Sequence, residues 1–88
     1  MSYRQPLQQV TIRNSHTATT VNLKLIGKGH YTKREYFVVL KSRTNDPQAF
    51  QQNLDQKFGP LNHQEAEARF ISLREEEVRF GGRIIQQK

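Results

Sequence analysis

Apolar and polar residues alternate through the first half of the chain, and a helical period takes over in the second. Val10 and Ile12 alternate with Gln9, Thr11 and Arg13. After a polar turn over residues 14–17, Val21, Leu23 and Leu25 alternate with Thr20, Asn22 and Lys24. A period of two is that of a strand with one wet face. Gly27-Lys28-Gly29 breaks this strand, and another follows over residues 35–42. Every residue of Tyr36-Phe37-Val38-Val39-Leu40 is apolar or aromatic, which predicts a central strand. The two strands form an antiparallel hairpin with a long, basic tip over 27–34.

Beyond the hairpin the signals are helical. Asp46-Pro47 supplies an N-cap with proline at the first helical position, predicting a short helix over 47–58 that Gly59-Pro60 stops. Asn62 followed by Glu65 reads as a capping box, opening a longer helix to Phe80. At about 100° per residue, Ala66, Phe70, Leu73 and Phe80 share one face with Glu77 in its middle, while Ile71 and Val78 form a separate ridge. Gly81-Gly82 ends the helix and releases a short strand over 83–87. The fold class expected is α+β, a small antiparallel sheet of three to four strands with one long and one short helix.

Charge narrows the function. The net charge is +6, and it is unevenly spread. Lys24, Lys28, Lys33, Arg34, Lys41 and Arg43 stand against Glu35 alone in residues 22–43, whereas the long helix is acidic. Such a balance suits nucleic acid, an anionic lipid surface or an acidic protein. The Glu75-Glu76-Glu77 run opposes the helix dipole and is expected to meet basic partners, with the hairpin as a source. Glu65–Arg69 and Glu75–Arg79 have the favourable i,i+4 order. Only 34% of the residues are apolar, so a partner is expected to complete part of the apolar surface.

No catalytic or metal chemistry is legible. His16, His30 and His63 fall in a turn, a loop tip and a helix start, without a carboxylate or nucleophile at a telling spacing. No metalloprotease, phosphate-loop or dinucleotide motif occurs, and there is no cysteine for a disulfide or thiolate ligand. The expectation is a non-enzyme without cofactor or metal, in a reducing compartment, with neither a signal segment nor a membrane span. Residues 29–37 interleave aromatics with cations, as in single-strand nucleic-acid platforms. The plainer interpretation places Tyr36 and Phe37 in the core and the lysines in a solvated loop.

The C-terminal run Arg79-Phe80-Gly81-Gly82-Arg83-Ile84-Ile85 resembles the end of the small linker domains of cyanobacterial phycobilisomes, the rod-capping (CpcD-like) and small core linker group. Val21 to Ile26, a basic turn, and Tyr36 to Arg43 resemble the family's first two strands. The resemblance covers residues 20–87 of a single domain over 1–88, leaving an extra N-terminal strand in 1–19 and a helical insertion at 46–60. The chain departs from the family pattern at Lys41-Ser42, where Pro-Tyr is common, at Glu77, where an apolar residue is usual, and at Gln86-Gln87. The resemblance implies a three-stranded antiparallel sheet with a helix.

It also implies a colourless linker that docks on acidic phycobiliprotein discs, or on another photosynthetic assembly, to stabilise and organise it. The place implied is the cytoplasm, at the cytoplasmic face of thylakoid membranes. The residues assigned to partner binding are Lys28, His30, Tyr31, Lys33, Arg34, Tyr36, Lys41, Arg43 and Arg83. Phe70, Leu73, Phe80, Gly81 and Gly82 are assigned to structure. The alternative function is a small module that binds RNA or single-stranded DNA through the hairpin 22–43.

Overall fold

The computed structural model describes residues 6–29, 34–44 and 54–88. The elements run β1 (Gln8–Asn14), β2 (Thr19–Lys28), β3 (Glu35–Thr44), β4 (Leu54–Leu61), α1 (His63–Arg79) and β5 (Arg83–Gln87). The strands form one five-stranded antiparallel sheet in the order β4-β3-β2-β1-β5, and α1 lies across one of its faces.

The period-two pattern decides which face is covered. Val10 and Ile12 of β1, Val21, Leu23 and Leu25 of β2, and Val38 and Leu40 of β3 point to the helix and are buried with its Ala66 and Phe70. Tyr36, Phe58, Leu61 and Leu73 pack round this cluster, partly buried. The capping box forms as read: Asn62 Oδ1 accepts the Glu65 N–H, and Glu65 Oε1 accepts the Asn62 N–H. The β2–β3 hairpin pairs along its whole length, with Lys28 opposite Glu35.

Several expectations are corrected. The sheet has five strands where three to four were expected, and α1 is the one helix among the described residues. Residues 54–58, expected to end a short helix, belong to β4; residues 47–53 lie outside the described residues. Helix capping residues at 46–47 carry no information on whether a later segment finds a sheet edge to pair with. The free edge of β3 offered one, and β4 took it. Gly59-Pro60 is therefore no helix stop. It lies inside β4 at a register shift opposite residues 36–38. The N-terminal strand is not an appendage either. It lies between β2 and β5, and the final strand pairs with it.

Phe80 is likewise not core. It caps the helix with its side chain 68% exposed, because the chain turns away there before the helical face can continue. Tyr36-Phe37-Val38-Val39-Leu40 has neighbours on both edges, yet only Val38 and Leu40 are buried. Among the described residues no ion pair reaches Glu75, Glu76 or Glu77. Lys24, Lys28, Lys41 and Arg43 of the hairpin cannot serve them, since these side chains leave the sheet on the opposite face. The Glu65–Arg69 pair is also absent; the Arg69 guanidinium instead lies 5.1 Å over the Phe58 ring.

Candidate functional site

The strand period that sends aliphatic residues to the helix sends cations the other way. Opposite the helix, β2 carries Lys24, Ile26 and Lys28, and β3 carries Glu35, Phe37, Val39, Lys41 and Arg43. Cross-strand register places Ile26 beside Phe37, Lys24 beside Val39, Val39 beside Lys57, and Lys41 beside Asp55. Arg13 and Arg83 pair at the far side. No described element covers this face. Its centre is the half-buried trio Ile26, Phe37 and Val39, and cations surround it.

Phe37 sits in a made place. Gly59 has φ +138°, and a Cβ there would stand 2.6 Å from Phe37 Cδ1 and 2.8 Å from the Tyr36 carbonyl oxygen. Only glycine lets β4 pass this close, and the left-handed φ suits it as well. Two ammoniums approach the ring, Lys57 Nζ at 4.5 Å and Lys28 Nζ at 5.4 Å from its centroid. Attraction of cations to an aromatic face holds them there, and they crowd each other. The Lys28 charge is the main cause of a lowered Lys57 pKa, with contact between the two ammoniums and desolvation adding to it. An anion arriving between them would relieve this repulsion.

At the other end of β3, Arg43 Nη1 donates to Asp55 Oδ1 at 2.7 Å. That hydrogen bond is the main reason the Asp55 carboxyl is held below its ordinary value, and the charges of Arg43 and Lys41 act in the same direction. Asp55 thus neutralises part of one corner and Glu35 stands opposite Lys28 at the other, while Lys24, Lys28, Lys41 and Lys57 keep the surroundings of the apolar centre mainly basic.

The sequence-assigned residues divide accordingly. Lys28, Lys41, Arg43 and Arg83 lie on the open face. His30, Tyr31 and Lys33 lie outside the described residues. Arg34 is exposed at the end of the hairpin. Tyr36 is on the helix side, partly buried, with its ring edge-on to His63 at 4.9 Å, so it does not join the others. Phe37, Lys24, Ile26, Val39 and Lys57 were not assigned to the site. Lys24, Ile26, Phe37 and Val39 follow from parity with Lys28 and Lys41 once the strands are accepted. Lys57 was hidden by the helical interpretation of its segment.

Gly81 and Gly82 hold the structural places expected of them. Gly81 has φ +101°, its N–H donates to the Val78 carbonyl, and the Gly82 N–H donates to the Glu77 carbonyl. This is the paired-bond stop of a helix with glycine just past its end. Asn14, the first residue of the polar turn, is buried beneath it. Its Nδ2 donates to the Phe80 carbonyl, while Oδ1 accepts from the His16 and Thr17 N–H groups.

Among the described residues no group of His, Asp or Glu side chains is placed to hold a metal ion, and no helix is long and apolar enough to cross a membrane. The described clefts lie along α1 and β5 and are lined largely by charged and aliphatic side chains. The open face is thus an uncovered, mainly basic surface with an apolar centre. No protein-family model, curated protein or solved structure matches the chain.

Proposed function

We propose that this chain is a non-catalytic docking module whose open basic sheet face binds an acidic protein surface. The observation that carries the proposal is the layout of that face: an apolar centre of Ile26, Phe37 and Val39 inside a rim of cations. Protein interfaces have this anatomy, with desolvated anchors in the middle and charge at the edge setting orientation and encounter rate. The partner class that the sequence resemblance suggests is the acidic phycobiliprotein disc, with the chain acting as a linker that stabilises and organises an antenna assembly at the thylakoid surface.

A second reading, single-stranded RNA or DNA, is favoured by one observation, the Phe37 ring between Lys28 and Lys57. Rings of this kind stack on bases while cations meet phosphates.

One titration separates the two. Full-length chain is titrated with purified phycobiliprotein discs and, separately, with a labelled single-stranded oligonucleotide, each over a range of salt. The expected result is tighter binding to the discs, weakened at least about tenfold by the combined Lys24→Gln, Lys41→Gln and Lys57→Gln changes. Tighter binding to the oligonucleotide, lost in Phe37→Ala, would replace the protein reading with the nucleic-acid one. Disc binding indifferent to the three substitutions would overturn the assignment of the face.

A further inference from the structure

The helix carries a second apolar line that the core does not use. Ile71 and Val78 lie seven residues apart, hence on one line of the helix, and are 42% and 43% exposed. Ile84 of β5, 39% exposed, shares a groove with Val78, Arg74 and Glu75. Arg74 and Glu75 lie between the two aliphatic residues on the same side of α1, and among the described residues neither makes an ion pair.

We infer that two copies of this chain associate through α1, packed antiparallel about a two-fold axis that passes between Arg74 and Glu75. A two-fold interface must be self-complementary: if one residue meets another, the second meets the first in return. An axis at that point puts Ile71 opposite the partner copy's Val78 and Arg74 opposite its Glu75, each contact occurring twice. The arrangement therefore contains two apolar pairs and two opposite-charge pairs, and places no like charges opposite each other among these four positions. Sliding one helix past the other by one residue in either direction would set Glu75 or Arg74 against itself. Charge order along the helix thus selects this register among its immediate neighbours, as polar residues do in helix pairing generally. Ile84 flanks the contact and extends its apolar area beyond the helix.

The second copy fits better here than a foreign partner for another reason. The net charge of +6 opposes self-association, but its main concentration lies on the open sheet face, with the sheet between it and this helix. The helix itself carries Glu65, Glu67, Glu75, Glu76 and Glu77 against Arg69, Arg74 and Arg79, so the surfaces that meet are not both basic. The dimer presents its two basic faces outwards, on opposite sides. One assembly can then hold two acidic partners. This consequence rests on the function proposed above, whereas the dimer does not.

The test uses charge reversal in the full chain, followed by sedimentation equilibrium. The parent should be in monomer–dimer equilibrium. Arg74→Glu sets its new carboxylate against Glu75 of the other copy, and Glu75→Arg sets two guanidiniums together. Each variant alone should dimerise at least about tenfold more weakly. Mixed, the two variants should form a heterodimer that restores association, because one copy then presents two carboxylates to the two guanidiniums of the other. Ile71→Asp should abolish association with its circular dichroism unchanged. A parent that is monomeric at its solubility limit would overturn the inference. So would a dimer unaffected by the charge reversals, or two variants that fail to recover when mixed.

Discussion

Two side chains under the end of the helix show how much one residue can decide. Asn14 uses both ends of its amide, donating to Phe80 and accepting from the turn that follows β1. It ties the last turn of α1 to the β1–β2 connection, where an apolar residue of similar size would leave three backbone groups to find other partners. Glu77 has the opposite standing. It sits on the core-facing side of α1, and burial, with the neighbouring charge of Glu76, raises its pKa above the ordinary value. Folding therefore disfavours its charged form. The penalty is present in full above the folded pKa. It fades as the pH falls through that value and is absent below the unfolded one. Glu77→Gln should accordingly melt higher than the parent at neutral pH, with the gap closing as the solution is acidified through the carboxylate range. Melting curves at several pH values check this; equal melting temperatures at neutral pH would show that Glu77 is solvated in practice.

At the level of elements, the passage from α1 to β5 rests on two glycines with different duties. Gly81 supplies the left-handed φ, and alanine there should cost about 1 kcal/mol. Gly82 supplies clearance. A Cβ on it would stand 2.5 Å from Ile12 Cγ2 and 2.7 Å from the Glu77 carbonyl oxygen, which is already its hydrogen-bond partner. Backbone cannot yield here without giving up the helix stop, so Gly82→Ala should cost more, about 1–3 kcal/mol, and should loosen β5. Denaturant unfolding of both variants, with amide exchange in β5, provides the comparison. A Gly82→Ala protein as stable as the parent would mean that β5 does not pack this closely. Elsewhere an element went to the other class: β4 is a strand despite its Lys57, Gly59 and Pro60, because an edge of β3 was open to it. Gly59 and Pro60 are tolerated since β4 is itself an edge strand, and the register shift absorbs them.

For the molecule as a whole, α1 closes one face of the sheet, and no described element covers the other. The core depends heavily on Phe70, which is 1% exposed and the largest of the fully buried side chains, whereas Leu73 packs only at its margin. Phe70→Ala should cost about 3–5 kcal/mol, close to the whole stability of so small a domain. Leu73→Ala should cost clearly less, and thermal unfolding ranks the two. The reverse ranking would mean that the helix is rotated from the orientation described here. Separating the faces also separates the charges, cations on the open sheet and a mixed acidic helix behind it.

The amino-acid pattern was sufficient for β1, β2, β3, α1 and β5, because each is written in local terms: alternation in the strands, a capping box at Asn62, and two glycines after the helix. It also placed Ala66 and Phe70 in the core and set Ile71 and Val78 apart from them. Strand parity was enough to gather Lys24, Lys28, Lys41 and Phe37 on one face, although the basic loop drew attention away from it. Only the tertiary structure decided the rest. Whether residues 54–61 would be strand depended on a vacant edge of β3, which their own composition does not reveal. That β5 should pair with β1 depended on α1 carrying the chain back across the sheet, and the burial of Asn14 depended on where that helix stopped. Local patterns report the energy a segment gains by itself. Edge pairing, close approach and exposure of Phe80 are properties of what another segment leaves free.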